Sequence, residues 1–66
     1  MNIKIKTFNG ELPNYLTLDK EYEVISLLSR GAIFLDDDGN ERMTLFKRSE
    51  HLNGGEWELI RRYSLS

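Results

Sequence analysis

Polar and apolar positions alternate at the start of the chain, with Ile3, Ile5 and Thr7 interleaved by Lys4, Lys6 and Phe8. A period of two sets one face of an extended backbone against a core and the other in water, so it predicts a half-buried strand. Asn9-Gly10 marks a turn. Leu12-Pro13-Asn14 continues as a loop, because proline cannot donate to a sheet ladder. The next segment, LTLDKEYEVISLLS, reads two ways. Leu18, Tyr22, Ile25 and Leu28 would line one face of a helix, whereas Tyr22 and Val24 alternating with Glu21 and Glu23 favour a strand. Past Val24 the alternation slips, since Ile25 and Leu27 fall out of phase. A bulge explains the slip, because one extra residue moves later side chains to the other face; so does burial on both faces at the strand end. The run is short and ends at Ser29-Arg30-Gly31, a hairpin-type turn, so residues 20–29 read as a strand.

The pattern continues with strands at 32–35 and 42–46, a loop or single 3₁₀ turn at 47–53, a break at Gly54-Gly55 and a fifth strand at 56–60. In that last strand Trp57 and Leu59 share one face, and Glu56 and Glu58 the other. Five short strands at close spacing predict an all-β fold, a small antiparallel barrel with one 3₁₀ turn. Closing the sheet would hide edges that otherwise invite aggregation.

Composition narrows this further. A chain of 66 residues is one domain and buries only about 60% of the surface its unfolded form exposes. With no cysteine, neither a disulfide nor a thiolate metal site can staple it, so 39% hydrophobic residues and seven aromatics must supply the core. A net charge of −2 argues against a general nucleic-acid coat protein, whose surface must neutralise phosphate. No apolar run approaches the roughly 20 residues of a membrane helix, and the alternating start lacks an apolar signal core. We read the chain as complete and cytoplasmic.

The segment IFLDDDGNERMTLF raises the one question of metal chemistry. Asp36, Asp38 and Asn40 have the alternate spacing of a calcium loop. With Asp36 as position one, however, the glycine position is Glu41 and the bidentate glutamate position is Lys47, so the pattern fails twice. Asp38-Gly39 between two apolar runs is a hairpin signal, with Gly39 supplying a positive φ at no steric cost. The turn is the better reading. There is no P-loop, Rossmann or zinc-ligand spacing, and no cofactor is expected.

Two segments together resemble small phage-encoded and prophage-encoded proteins with an SH3-like barrel. In LTLDKEYEVI, Leu16, Thr17, Lys20, Tyr22 and Val24 match a leucine-threonine-x-glycine-lysine-x-tyrosine-x-valine pattern. In IFLDDDGNE, Asp36, Asp37 and Gly39 match Asp-Asp-x-Gly. With the similar opening strand, the resemblance spans about residues 2–50. It implies a five-stranded SH3-like barrel and a phage origin, and it carries no catalytic residue. Asp19 stands where the pattern has glycine. If that position needs a left-handed backbone, aspartate is a tolerable replacement.

The remaining candidates concern binding. His51 is the single histidine and Ser49 is two residues away, but sequence neighbours rarely have the geometry of a nucleophile and its base, and no oxyanion-hole signature accompanies them. We therefore read His51 as a surface loop residue and the protein as a non-enzyme. Trp57 is either a core anchor, which a short chain favours, or an exposed aromatic platform. Tyr15 and Tyr63 read as rim residues of the type enriched at interfaces. Arg48, Arg61 and Arg62 with Tyr63 would form a basic patch if one face gathers them. The leading expectation is a binding module with a protein partner. A nucleic-acid-binding barrel comes second, and a homodimer joined through the Val24-Ile25 and Leu27-Leu28 pairs comes third.

Overall fold

Residues 3–61 are described by a computed structural model. Arg62 and Tyr63 lie outside the described residues. The strands are β1 (Ile3–Thr7), β2 (Glu21–Leu27), β3 (Gly31–Leu35), β4 (Glu41–Leu45) and β5 (Trp57–Arg61), with one 3₁₀ turn at Glu50–Leu52. They form one antiparallel sheet in the order β4-β3-β2-β1-β5.

The period of two survives intact in β1, where Ile3, Ile5 and Thr7 are buried and the two lysines are half-exposed. The ambiguous second segment is a strand, and the slip past Val24 is a bulge. Val24 pairs with Phe34 while Ser26 pairs with Ile33, so β2 advances two residues against one on β3. The extra residue, Ile25, is left exposed. On β3, Ala32 and Phe34 point inward and Ile33 and Leu35 outward, as pleating demands.

The core gathers Ile5, Leu16, Tyr22, Phe34, Leu52 and Trp57. Three of these are aromatic and meet as tilted or edge-on pairs, with Phe34 and Trp57 ring centres 5.0 Å apart. Such pairs add about 0.5–1.5 kcal/mol each beyond their buried area. Trp57 is thus a core anchor, and the exposed-platform alternative does not hold.

A barrel closed by a fifth ladder is not what forms: β4 and β5 are the two edges of the sheet. They approach where the Trp57 amide donates to the Phe46 carbonyl at 2.8 Å and Ser49 bridges Gly55. Residues 47 and 48 then oppose Glu56 alone, two against one, which is the count of a bulge. A chain of hydroxyls seals the gap. Trp57 Nε1 donates to Ser49 Oγ at 3.0 Å, Ser49 Oγ lies 2.6 Å from Thr44 Oγ1, and Thr44 Oγ1 donates to the Leu45 carbonyl. With the single Thr44 proton so used, Ser49 donates to Thr44.

Candidate functional site

The β3–β4 hairpin carries charge at both ends. Its turn is acidic. Asp36 is buried, and its carboxylate accepts from the amides of Asp38 and Asn40, each at 2.9 Å, and from Arg42 Nε. Gly39, with φ of 81°, closes the turn by donating to the Asp36 carbonyl. Burial pushes the Asp36 carboxyl up, but the Arg42 guanidinium and the two amides outweigh it and hold the group below its ordinary value.

Asp37 accepts from Lys20 Nζ at 2.7 Å, Thr17 Oγ1 at 2.8 Å and the Tyr22 hydroxyl at 2.9 Å. The Lys20 bond, then the Thr17 bond, lower its pKa. The same contact raises Lys20, while burial raises the Tyr22 phenol. Asp19, in the turn that delivers Lys20, has φ of 63°, the left-handed conformation for which glycine would be the easy residue. Thr17, Lys20 and Tyr22 from the β1–β2 loop and strand therefore form one clamp, closing on Asp37 from the β3–β4 turn. Their conjunction is structural, and the Asp36 and Asp37 carboxylates answer to protein donors.

Tyr15 and His51 belong to this scaffold too. The Arg42 guanidinium lies over the Tyr15 ring at 3.8 Å, and the Tyr15 hydroxyl is 2.7 Å from His51 Nδ1. His51 Nε2 is 2.8 Å from the Met43 carbonyl. A carbonyl only accepts, so His51 Nε2 donates to it, and the Nδ1 contact joins the ring to the Tyr15 hydroxyl. His51 is half-buried and ties the 3₁₀ turn to β4, not a free loop residue. Ser49 bonds to Trp57 and Thr44 while His51 bonds to Tyr15 and Met43, so the Ser–His pair weighed from the sequence does not assemble. Tyr15, with one ring face covered and its hydroxyl used, is a strut.

The opposite end of the hairpin is basic and differently built. Ser29 and Arg30 from the β2–β3 turn face Leu45, Phe46, Lys47 and Arg48 across an open cleft of about 580 Å³. The sheet register brings them together: the Phe46 amide donates to the Arg30 carbonyl at 2.9 Å. Gly31 permits the crossing, since a Cβ there would run into the Thr44 carbonyl. Phe46 is half-buried against the core and Leu45 is 49% exposed, so the floor is apolar. Among the described residues the ion pairs are Lys20–Asp37 and Arg42–Asp36, and none engages Arg30, Lys47 or Arg48.

Arg48 has a φ of 55°. A left-handed backbone costs a side-chain-bearing residue about 1–2 kcal/mol, and glycine, asparagine or aspartate fills such positions most readily. Phe46 is pinned to Trp57 on one side of Arg48 and Ser49 to Gly55 on the other, so the backbone there is held in place. The bulge thus keeps an arginine where glycine would be the relaxed choice. Strain of this kind clusters at functional sites.

Of the basic residues singled out in the sequence, Arg48 lies in this cleft. Arg61 does not join it: Arg48 adjoins the start of β5 and Arg61 ends that strand, roughly 13 Å further along at about 3.3 Å per residue. Arg30 and Lys47 are the partners that sequence reading missed. Comparisons with protein-family models, with curated proteins and with solved structures find no match to this chain.

Proposed function

We propose that this protein is a non-enzymatic binding module, a small SH3-like barrel that contacts another protein through the basic-rimmed cleft. The barrel reading draws on the four-strand meander, the return of β5 to β1 and the 3₁₀ turn at that return. One observation carries the function: three cations without ion pairs among the described residues surround an apolar floor, and one of them is kept in a strained backbone. The resemblance adds that the module is a phage accessory protein, acting in the host cytoplasm on a host or phage protein. Among the described residues no helix is long and apolar enough to cross a membrane.

A tagged pull-down from nuclease-treated lysate tests this, run with the native chain beside an Arg30→Glu/Lys47→Glu variant. Proteins held by the native chain and released by the variant are the expected result. Recovery of nucleic acid alone, or of proteins lost after nuclease, contradicts it. That outcome would favour the second reading, a nucleic-acid-binding barrel whose cations neutralise phosphates and whose affinity falls steeply with salt. The exposure of Ile25, Leu27 and Leu28 supports a third reading, self-association as a homodimer. Light scattering across concentrations checks it, and a monomeric mass throughout removes it.

A further inference from the structure

The chemistry of the cleft narrows its occupant. Phe46 and Asn40 bond across to the β3 side, so Glu41, Met43 and Leu45 turn their backbone groups toward the open edge of β4. Two of those carbonyls are already engaged, Met43 by His51 and Leu45 by Thr44. Adding a strand to this edge would compete with bonds the protein already makes, so side chains must carry recognition. The side chains on offer are an aliphatic and an aromatic floor, rimmed by two guanidiniums and an ammonium. Guanidinium forks match carboxylates bidentately. The cleft volume falls within the range of ligand sites.

We propose that the cleft takes an acidic peptide segment bearing one apolar side chain. The apolar group sits on Leu45 and Phe46, and the flanking carboxylates meet Arg30, Lys47 and Arg48. This rests on the binding-module reading. Charge complementarity favours it over a nucleic acid. The three cleft cations form one short cluster in a chain of net charge −2, whereas neutralising the phosphates of a nucleic acid needs a more extended basic surface. The acidic turn at the other end of the hairpin repels carboxylates and so biases where an acidic segment settles.

The test is selection of a random dodecapeptide display library on the immobilised full chain, with the Arg30→Glu/Lys47→Glu variant as counter-target. Arg48→Asn serves as a second variant that keeps the left-handed backbone. The expected pool is enriched in Asp and Glu around one Leu, Ile, Phe or Trp. Its members should bind roughly tenfold or more weakly to either variant, once circular dichroism shows that each is folded. A pool without acidic bias, no enrichment over the counter-target, or displacement of selected peptides by single-stranded RNA at physiological salt would overturn the proposal. If the pull-down still retains a partner that the cleft variant loses, the module reading stands and the acidic-peptide chemistry alone fails.

Discussion

At one end of the β3–β4 hairpin, Asp36 and Asp37 each accept from three protein donors. At the other end Arg30, Lys47 and Arg48 have no ion pair among the described residues, and Arg48 sits in a left-handed backbone. The two ends share five residue pairs of ladder, and Phe34 of that ladder sits in the core. They differ in how much of their charge the protein uses itself. A carboxylate whose lone pairs are occupied by neighbours holds loops together and offers little to a ligand. A cation left to water over an apolar floor does little for the fold and much for an encounter. The more conspicuous motif, the aspartate run, is therefore the structural one.

Removing what both ends depend on should erase the contrast. Phe34→Ala empties a fully buried site between Tyr22 and Trp57 and costs about 3–5 kcal/mol. Total stability for so small a domain is on the order of 5 kcal/mol. Urea titration followed by circular dichroism should find the variant largely unfolded.

Asp36→Ala should damage the acidic end alone. It leaves Arg42 and two turn amides without their acceptor, and the melting temperature should drop by roughly 10 °C. Chains that remain folded at lower temperature should keep the cleft and its ligand. Arg30→Glu/Lys47→Glu should do the reverse. Binding should weaken roughly tenfold or more by anisotropy, while the melting temperature stays within roughly 3 °C, as for surface changes away from the core.

Acid should discriminate between the ends as well. Both aspartates have lowered pKa values, so the stability they contribute is full above the ordinary carboxylate value and drains away as pH falls below about 4. Lys20 and Tyr22 are raised, so their contribution is full below their ordinary values and is lost as pH rises past about 10. Asp37→Asn should flatten the acid limb of a denaturation series and weaken the alkaline one. Charge reversal at the cleft should leave both limbs in place.

Much of the scaffold was legible because its signals are local. The alternation of Ile3, Ile5 and Thr7, the slip past Val24 and the Asp38-Gly39 turn each act within a few residues, and each became the element it predicts. Asp19 was legible as a condition: if its position needs a left-handed backbone, aspartate is a tolerable residue there, and its φ is 63°. The cleft was not legible, because it depends on register. Arg30 reads as a turn residue until the β3–β4 ladder sets it opposite Phe46. The uneven charge of residues 42–62 instead suggested Arg48 with Arg61 if one face gathered them, and a whole strand separates the two. His51 looked free for the same reason, since its partner Tyr15 is 36 residues away.

The smallest expected change in stability bears most directly on the claim that the basic end is kept for binding. Arg48→Asn retains a residue suited to positive φ and removes the guanidinium. Thermal unfolding and ligand binding measured side by side should show stability unchanged or raised by about 0.5–1 kcal/mol, with binding clearly weakened. A variant that melts earlier, or that binds as tightly as the native chain, would contradict the account.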